Sequence, residues 1–118
     1  PFLWCDPEMT LLSISTLVGN SIKYTPAGSQ ILIRGSVRDK MVLLEICDNG
    51  PGVSPEDFPH LFRRYYRGKN SRSIPGTGLG LPLARELIQI QGGALEIAPM
   101  SERGFCVLMH LPMAGDHA

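Results

Sequence analysis

Two glycine clusters in different settings constrain this chain more than anything else in it. Asp48-Asn49-Gly50-Pro51-Gly52 follows an apolar run from Met41 to Cys47, and Gly76-Thr77-Gly78-Leu79-Gly80 opens a helix-like stretch. Glycine lets backbone approach a ligand closely, and a helix N-terminus offers unpaired N–H groups to an anion. One cluster is headed by a carboxylate, and the other lies where a phosphate is favoured. The pair predicts a nucleotide held at both ends.

The elements around the clusters follow from local signals. Asp6 is an N-cap candidate with Pro7 at the first helical position. Leu11, Ile14, Val18 and Ile22 recur at helical spacing, which predicts a helix over 8–24 with these residues as its apolar stripe, ended before Pro26. Residues 30–37 and 41–47 read as two strands joined by Arg38-Asp39-Lys40. Residues 2–5 read as a short strand, and 56–66 as a short helical segment. Residues 68–75 are polar and aperiodic, which predicts a mobile loop. A helix over 79–91 ends at Gly92-Gly93, and 94–98 with 105–111 form a hairpin. Residues 113–118 read as a frayed tail. The order predicts one α+β domain, a two-layer sandwich with a mixed five-stranded sheet and about three helices on one face.

A chain of 118 residues with zero formal net charge does not look built for nucleic acid or acidic lipid, and no apolar run approaches the length of a membrane span. The charge is unevenly placed. Between Asp57 and Glu86 there is no acidic residue, but there are Arg63, Arg64, Arg67, Lys69, Arg72 and Arg85. A solvated basic face would explain this; beside a glycine cluster, a local field for a polyanion such as triphosphate is the stronger reading. Cys5, Cys47 and Cys106 lack metal-ligand spacing and have apolar neighbours, so three free thiols in a reducing compartment are expected. A start at Pro1 reads as a piece of a longer protein.

Ser13, Thr16, Asn20 and Lys23 are spaced by three, four and three, so they share one helix face. Water alone would account for such a stripe on most helices. Here it carries few charges and an amide; an Asn carbonyl can coordinate Mg²⁺, and a Lys one turn later can meet phosphate. Asp48 is either a turn residue or a buried carboxylate accepting a hydrogen bond from a base. Adenine offers an exocyclic amine, whereas guanine offers a carbonyl oxygen that a carboxylate repels. The second cluster is no dinucleotide fingerprint, since a polar loop precedes it, and a Walker-type Gly-Lys-Ser/Thr is absent from the chain.

Four motifs in order resemble those of sensor histidine kinases. Thr16-Leu-Val-Gly-Asn20-Ser-Ile-Lys23-Tyr24 resembles their asparagine motif, and Asp48-Asn-Gly50-Pro-Gly52-Val53 their first glycine motif. Leu61-Phe62-Arg63-Arg64-Tyr65-Tyr66-Arg67 resembles the phenylalanine-containing motif, and Gly76-Thr77-Gly78-Leu79-Gly80-Leu81 the second glycine motif. The resemblance covers residues 6–112. It implies the Bergerat-type ATP-binding fold shared with gyrase and MutL ATPases, with ATP and Mg²⁺ as ligands.

By that resemblance Asn20 holds Mg²⁺, Lys23 approaches phosphate, Tyr24 flanks the base and Asp48 binds the adenine amine. Gly50, Gly52 and Val53 shape the base pocket. Gly76, Thr77, Gly78, Leu79, Gly80 and Leu81 bring amides to the phosphates, and Arg64 or Arg67 neutralises the γ-phosphate. Phe58 and Phe62 are expected in core packing. Thr16 stands where the family often has Asn, His or Glu, which argues against fast hydrolysis; Ser21 stands where Ala is usual. None of His60, His110 and His117 sits in a phosphoacceptor setting.

The implied activity is presentation of the γ-phosphate of Mg-ATP to a histidine on a separate dimerisation domain upstream, with a response regulator downstream. The fragment is expected to be cytoplasmic and monomeric by itself, without membrane contact, and the full protein dimeric. Alternatives are a nucleotide-sensing module without transfer and an anti-sigma-type serine kinase. An RNA surface is disfavoured by the zero net charge.

Overall fold

A computed structural model describes residues 5–24, 27–50, 56–63, 80–99 and 104–112. Helix α1 (Pro7–Tyr24) starts where the sequence signals put it: the Asp6 carboxylate accepts the Met9 N–H at 3.0 Å, and the Asp6 carbonyl accepts the Thr10 N–H, the first helical bond. Strands β1 (Ile31–Arg38) and β2 (Met41–Asp48) form a hairpin across Asp39 and Lys40. Both turn residues have positive φ, 50° and 65°, the geometry whose twist matches that of the flanking strands.

A 3₁₀ turn (Phe58–His60) stands where a longer helical segment was expected. Helix α2 (Gly80–Ile90) ends in a Schellman motif: Gly93 N–H bonds to Ile88 C=O and Gly92 N–H to Gln89 C=O, with Gly92 at φ 83°. Strands β3 (Ala94–Pro99) and β4 (Phe105–Pro112) complete the sheet.

Among the described residues the sheet has four strands in the order β1-β2-β4-β3, every neighbouring pair antiparallel. The expectation was a mixed five-stranded sheet with about three helices; the fifth strand was placed on residues 2–5, of which 2–4 lie outside the described residues, and the pairings described are all antiparallel with two α-helices and one 3₁₀ turn. The two α-helices cover one face. Leu17, Ile46, Ala84, Ile88, Leu95, Val107, Met109 and Leu111 form the core between the layers, so the two-layer α+β architecture stands.

The buried face of α1 is only partly the expected one. Ile14 and Val18 pack against the core, but Leu11 and Ile22 are 65% and 64% exposed, while Thr10, Ser13, Leu17 and Ser21 are buried. The reason is α2, which packs along α1. Small side chains let the helices approach, and their polar atoms are satisfied locally: Ser13 Oγ donates to Met9 C=O at 2.9 Å, and Thr10 Oγ1 to Gln91 Oε1 at 3.2 Å. Gln91 Nε2 in turn donates to Leu87 C=O at 3.0 Å, so the end of α2 is braced to the start of α1.

The cysteines also differ from expectation. β2 pairs with β4 so that Cys47 faces Cys106, and the two form a cross-strand disulfide on the sheet face away from the helices. Cys5 remains a free thiol and packs against the core.

Candidate functional site

Strand alternation puts Leu44, Ile46 and Asp48 of β2 on the helix-facing side, so Asp48 ends a core-facing row. It is buried, with 9% of its surface exposed. Its Oδ1 accepts the Gly50 N–H at 3.0 Å, the side chain folding over the turn it begins. Burial raises its pKa above the usual carboxylate range, opposed by the bond from Gly50. A carboxylate has acceptor capacity beyond one bond, so this group can take a further donor. Asn49 extends the hairpin: its N–H bonds to Gln30 C=O, and its Oδ1 accepts the Gln30 N–H.

Gly104 is a neighbour of Asp48 that sequence reasoning did not foresee. It is buried at φ 103°, and a Cβ there would stand 2.3 Å from the Asp48 carbonyl oxygen. The backbone before β4 therefore seats against the root of Asp48. Gly104 stands in the sequence Glu-Arg-Gly-Phe, which has no motif of its own, and only its position before a strand signals it.

At the other end, the polar stripe of α1 meets the start of α2. A Cβ on Gly80 would lie 3.2 Å from Asn20 Nδ2, 3.6 Å from Asn20 Oδ1 and 3.2 Å from the Thr16 methyl. Thus Thr16 and Asn20, which share a face of α1, both lie beside Gly80 of α2, whereas Ser13, on the same stripe, is fully buried. The first N–H groups of a helix have no partner within it. In α2 these belong to Gly80, Leu81 and Leu83, because Pro82 has none. Leu81 also packs its side chain on the core. Lys23 is exposed in the last turn of α1.

Phe62 packs against the core, as expected, and also carries the Arg85 guanidinium 4.3 Å from its ring centroid. His60 Nδ1 lies 3.2 Å from an Arg63 nitrogen, and His110 Nε2 lies 3.6 Å from Glu96 Oε2. The expectations for Gly52, Val53, Arg64, Arg67, Gly76, Thr77, Gly78 and Leu79, and for the side chains of Tyr24 and Phe58, lie outside the described residues.

The buried acceptor at the end of β2 and the N-terminus of α2 beside Asn20 are thus set by different elements of one fold, and that fold has known relatives. The chain belongs to the histidine kinase-, DNA gyrase B- and HSP90-like ATPase family, whose model matches residues 6–115. The sensor protein kinase PmrB of Pseudomonas aeruginosa is 38% identical over 100 residues, covering 84% of this chain and 21% of PmrB. The signal transduction histidine-protein kinase BaeS of Escherichia coli is 32% identical over 113 residues, covering 94% of this chain and 24% of BaeS. Among solved structures, the mycobacterial sensor histidine kinase MprB matches with a TM-score of 0.86 at 28% identity, covering 94% of this chain and 76% of that one. The chain thus spans about a fifth to a quarter of the length of these two curated relatives.

Proposed function

We propose that this chain is the ATP-binding catalytic part of a sensor histidine kinase, holding Mg-ATP with adenine at Asp48 and the phosphates at the start of α2. The buried Asp48 carboxylate carries the reading, because a desolvated acceptor at a strand end selects a base edge with a donor. Gly80 supports the phosphate end: a side chain there would crowd Asn20 and Thr16, so the glycine keeps bare backbone at the helix N-terminus beside Asn20, the kind of place an anion favours.

The one amide oxygen that Asn20 would offer fits Mg²⁺ accompanied by a triphosphate. Among the described residues no group of three or more His, Cys, Asp or Glu is arranged to hold a metal. The Asn20 carbonyl is a hard oxygen ligand that leaves the remaining positions to phosphate and water, as Mg²⁺ prefers. When bound, Mg²⁺ neutralises part of the triphosphate charge. The protein's own contribution is positioning: Asp48 orients the base, the amides of Gly80 and Leu81 hold phosphate oxygens, and Lys23 adds a cation at the end of α1.

The γ-phosphate would pass to a histidine on a separate dimerisation domain of a longer chain, and from there to a response regulator. The cytosolic side of a sensor kinase is the fitting place; among the described residues no helix is long and apolar enough to cross a membrane. Calorimetric titration with ATP and with GTP, each with Mg²⁺, tests the binding. Saturable ATP binding with GTP at least tenfold weaker is expected, and equal affinities would overturn the role of Asp48. Labelled ATP mixed with this chain and a partner histidine domain tests transfer.

A second reading, a nucleotide-sensing module without transfer, rests on Thr16. Its methyl faces Gly80, so no acid or base group occupies that position of the site. Tight ATP binding with no label transferred to any histidine domain supplied would favour it.

A further inference from the structure

We infer that Arg85 is a positioning residue for the phosphates, acting through Phe62 and α2 and resting on the reading of the site as an ATP pocket. Arg85 lies one helical turn after Leu81, so the two share a flank of α2. That flank is turned toward residues 56–63. Phe62 is held from below by the core, to which Leu81 is also packed, and the Arg85 guanidinium sits 4.3 Å above its ring centroid. The opposite flank of α2 is secured by α1, through the Thr16 and Asn20 contacts with Gly80 and the Gln91 brace at the far end. Ala84 and Ile88, one turn apart, face the core.

With both flanks held, α2 can neither roll about its axis nor slide along α1. Its free N–H groups at Gly80 and Leu81 then keep one aim. Those amides act only if they point at the phosphate oxygens, since hydrogen bonds weaken steeply with misalignment. The Arg85–Phe62 contact also ties the point at which the chain leaves residues 56–63 to the helix at which it returns. A guanidinium suits this task because it is flat, always charged and free to stack while its edge stays hydrated.

The claim separates from two rivals. If Arg85 contacted phosphate directly, its loss would weaken ATP whatever residue stood at position 62. If it served stability alone, its loss would lower the melting temperature and leave affinity unchanged. The phosphate end and the base end of the site are held by different elements, α2 and β2, so adenosine reports the base end by itself.

The experiment measures ATP (with Mg²⁺) and adenosine affinities of wild type, Arg85→Lys, Arg85→Met, Phe62→Leu and the Phe62→Leu/Arg85→Met double variant. Arg85→Met should lose about three- to tenfold in ATP affinity and nothing in adenosine affinity, in line with a cation–π contact of ordinary strength. Arg85→Lys should recover only part of the loss, because an ammonium keeps the charge but not the flat stacking surface, and the double variant should be no weaker than Phe62→Leu. Unchanged ATP affinity in Arg85→Met overturns the inference, as do additive losses in the double variant or an equal loss for adenosine. Arg85→Lys keeps the test decisive should Arg85→Met fold poorly: ATP affinity below a third of wild type in a folded Arg85→Lys, with adenosine also weakened, would equally overturn it. Failure of wild type to bind adenosine or ATP would instead overturn the pocket itself.

Discussion

Replacing Asp48 by Asn should weaken the nucleotide and strengthen the fold at the same time. Asn keeps an oxygen that can accept the Gly50 N–H, now 3.0 Å from the Asp48 carboxylate, so the turn is retained. It loses the charge and turns a donor NH₂ toward an amine that is itself a donor. A hydrogen bond to a charged partner contributes about 1.5–3 kcal/mol, which corresponds to roughly a ten- to 150-fold loss in ATP affinity. Stability should move the other way. Burial raises the Asp48 pKa in the fold, so ionisation is easier in the unfolded chain and ionised Asp48 costs stability. In wild type this group's contribution is fully favourable only at low pH and is lost as pH rises through the raised value. Nucleotide affinity needs the ionised form and therefore falls as pH drops through that same value. Asn does not titrate, so both dependences should vanish in the variant. Calorimetry with Mg-ATP across acidic to neutral pH, paired with urea unfolding, measures the two trends. A folded Asp48→Asn variant with ATP affinity within threefold of wild type would refute the reasoning, as would a variant less stable than wild type at neutral pH.

Reduction, or Cys106→Ser, opens a link between residues 59 apart in sequence, and by loop-closure entropy should cost about 4 kcal/mol in denaturant unfolding; before reduction a thiol reagent in denaturant should count Cys5 alone. Gly104→Ala places a methyl against the Asp48 carbonyl at a backbone angle few side chains adopt, and should cost about 1–3 kcal/mol of stability and lower ATP affinity along with it; unchanged values in both assays would show that the turn relaxes freely. Asn20→Ala should weaken ATP with Mg²⁺ at least tenfold but ATP with excess chelator much less, and equal losses would remove the metal role assigned to Asn20. Gly93→Ala meets the His110 carbonyl oxygen and Ile88, so it should be the most destabilising of these glycine changes while leaving the adenosine affinity of whatever remains folded intact.

How much of the site could be read beforehand divides along the same physical line. Asn20 and Gly80 were each singled out as candidates by their own few residues, the first by a polar stripe and the second by a glycine cluster opening a helix. That Asn20 touches Gly80, and that Thr16 touches it through a methyl, needed the packing of α1 on α2. Arg85 read only as one of several cations in a basic stretch. Its place over Phe62 depends on a contact between elements 23 residues apart in number, for which no local spacing gives notice.

By itself the sequence determined whatever depends on a handful of neighbouring residues. The Asp6 cap, the two-residue turn at Asp39 and Lys40, the Gly92-Gly93 stop and the alternation that sends Asp48 inward are short-range consequences of side-chain chemistry and backbone freedom. Tertiary structure decided whatever depends on which surfaces meet. Helical spacing offered α1 an apolar stripe of Leu11, Ile14, Val18 and Ile22; Ile14 and Val18 reached the core, but the packing of α2 on α1 left Leu11 and Ile22 exposed and Thr10 and Ser13 buried, because small side chains with satisfied hydroxyls fit where helices approach and large ones do not. Likewise Cys47 met Cys106, and Gly104 met Asp48, only through the register of β2 on β4, which is set by the whole sheet and core rather than by any stretch of chain.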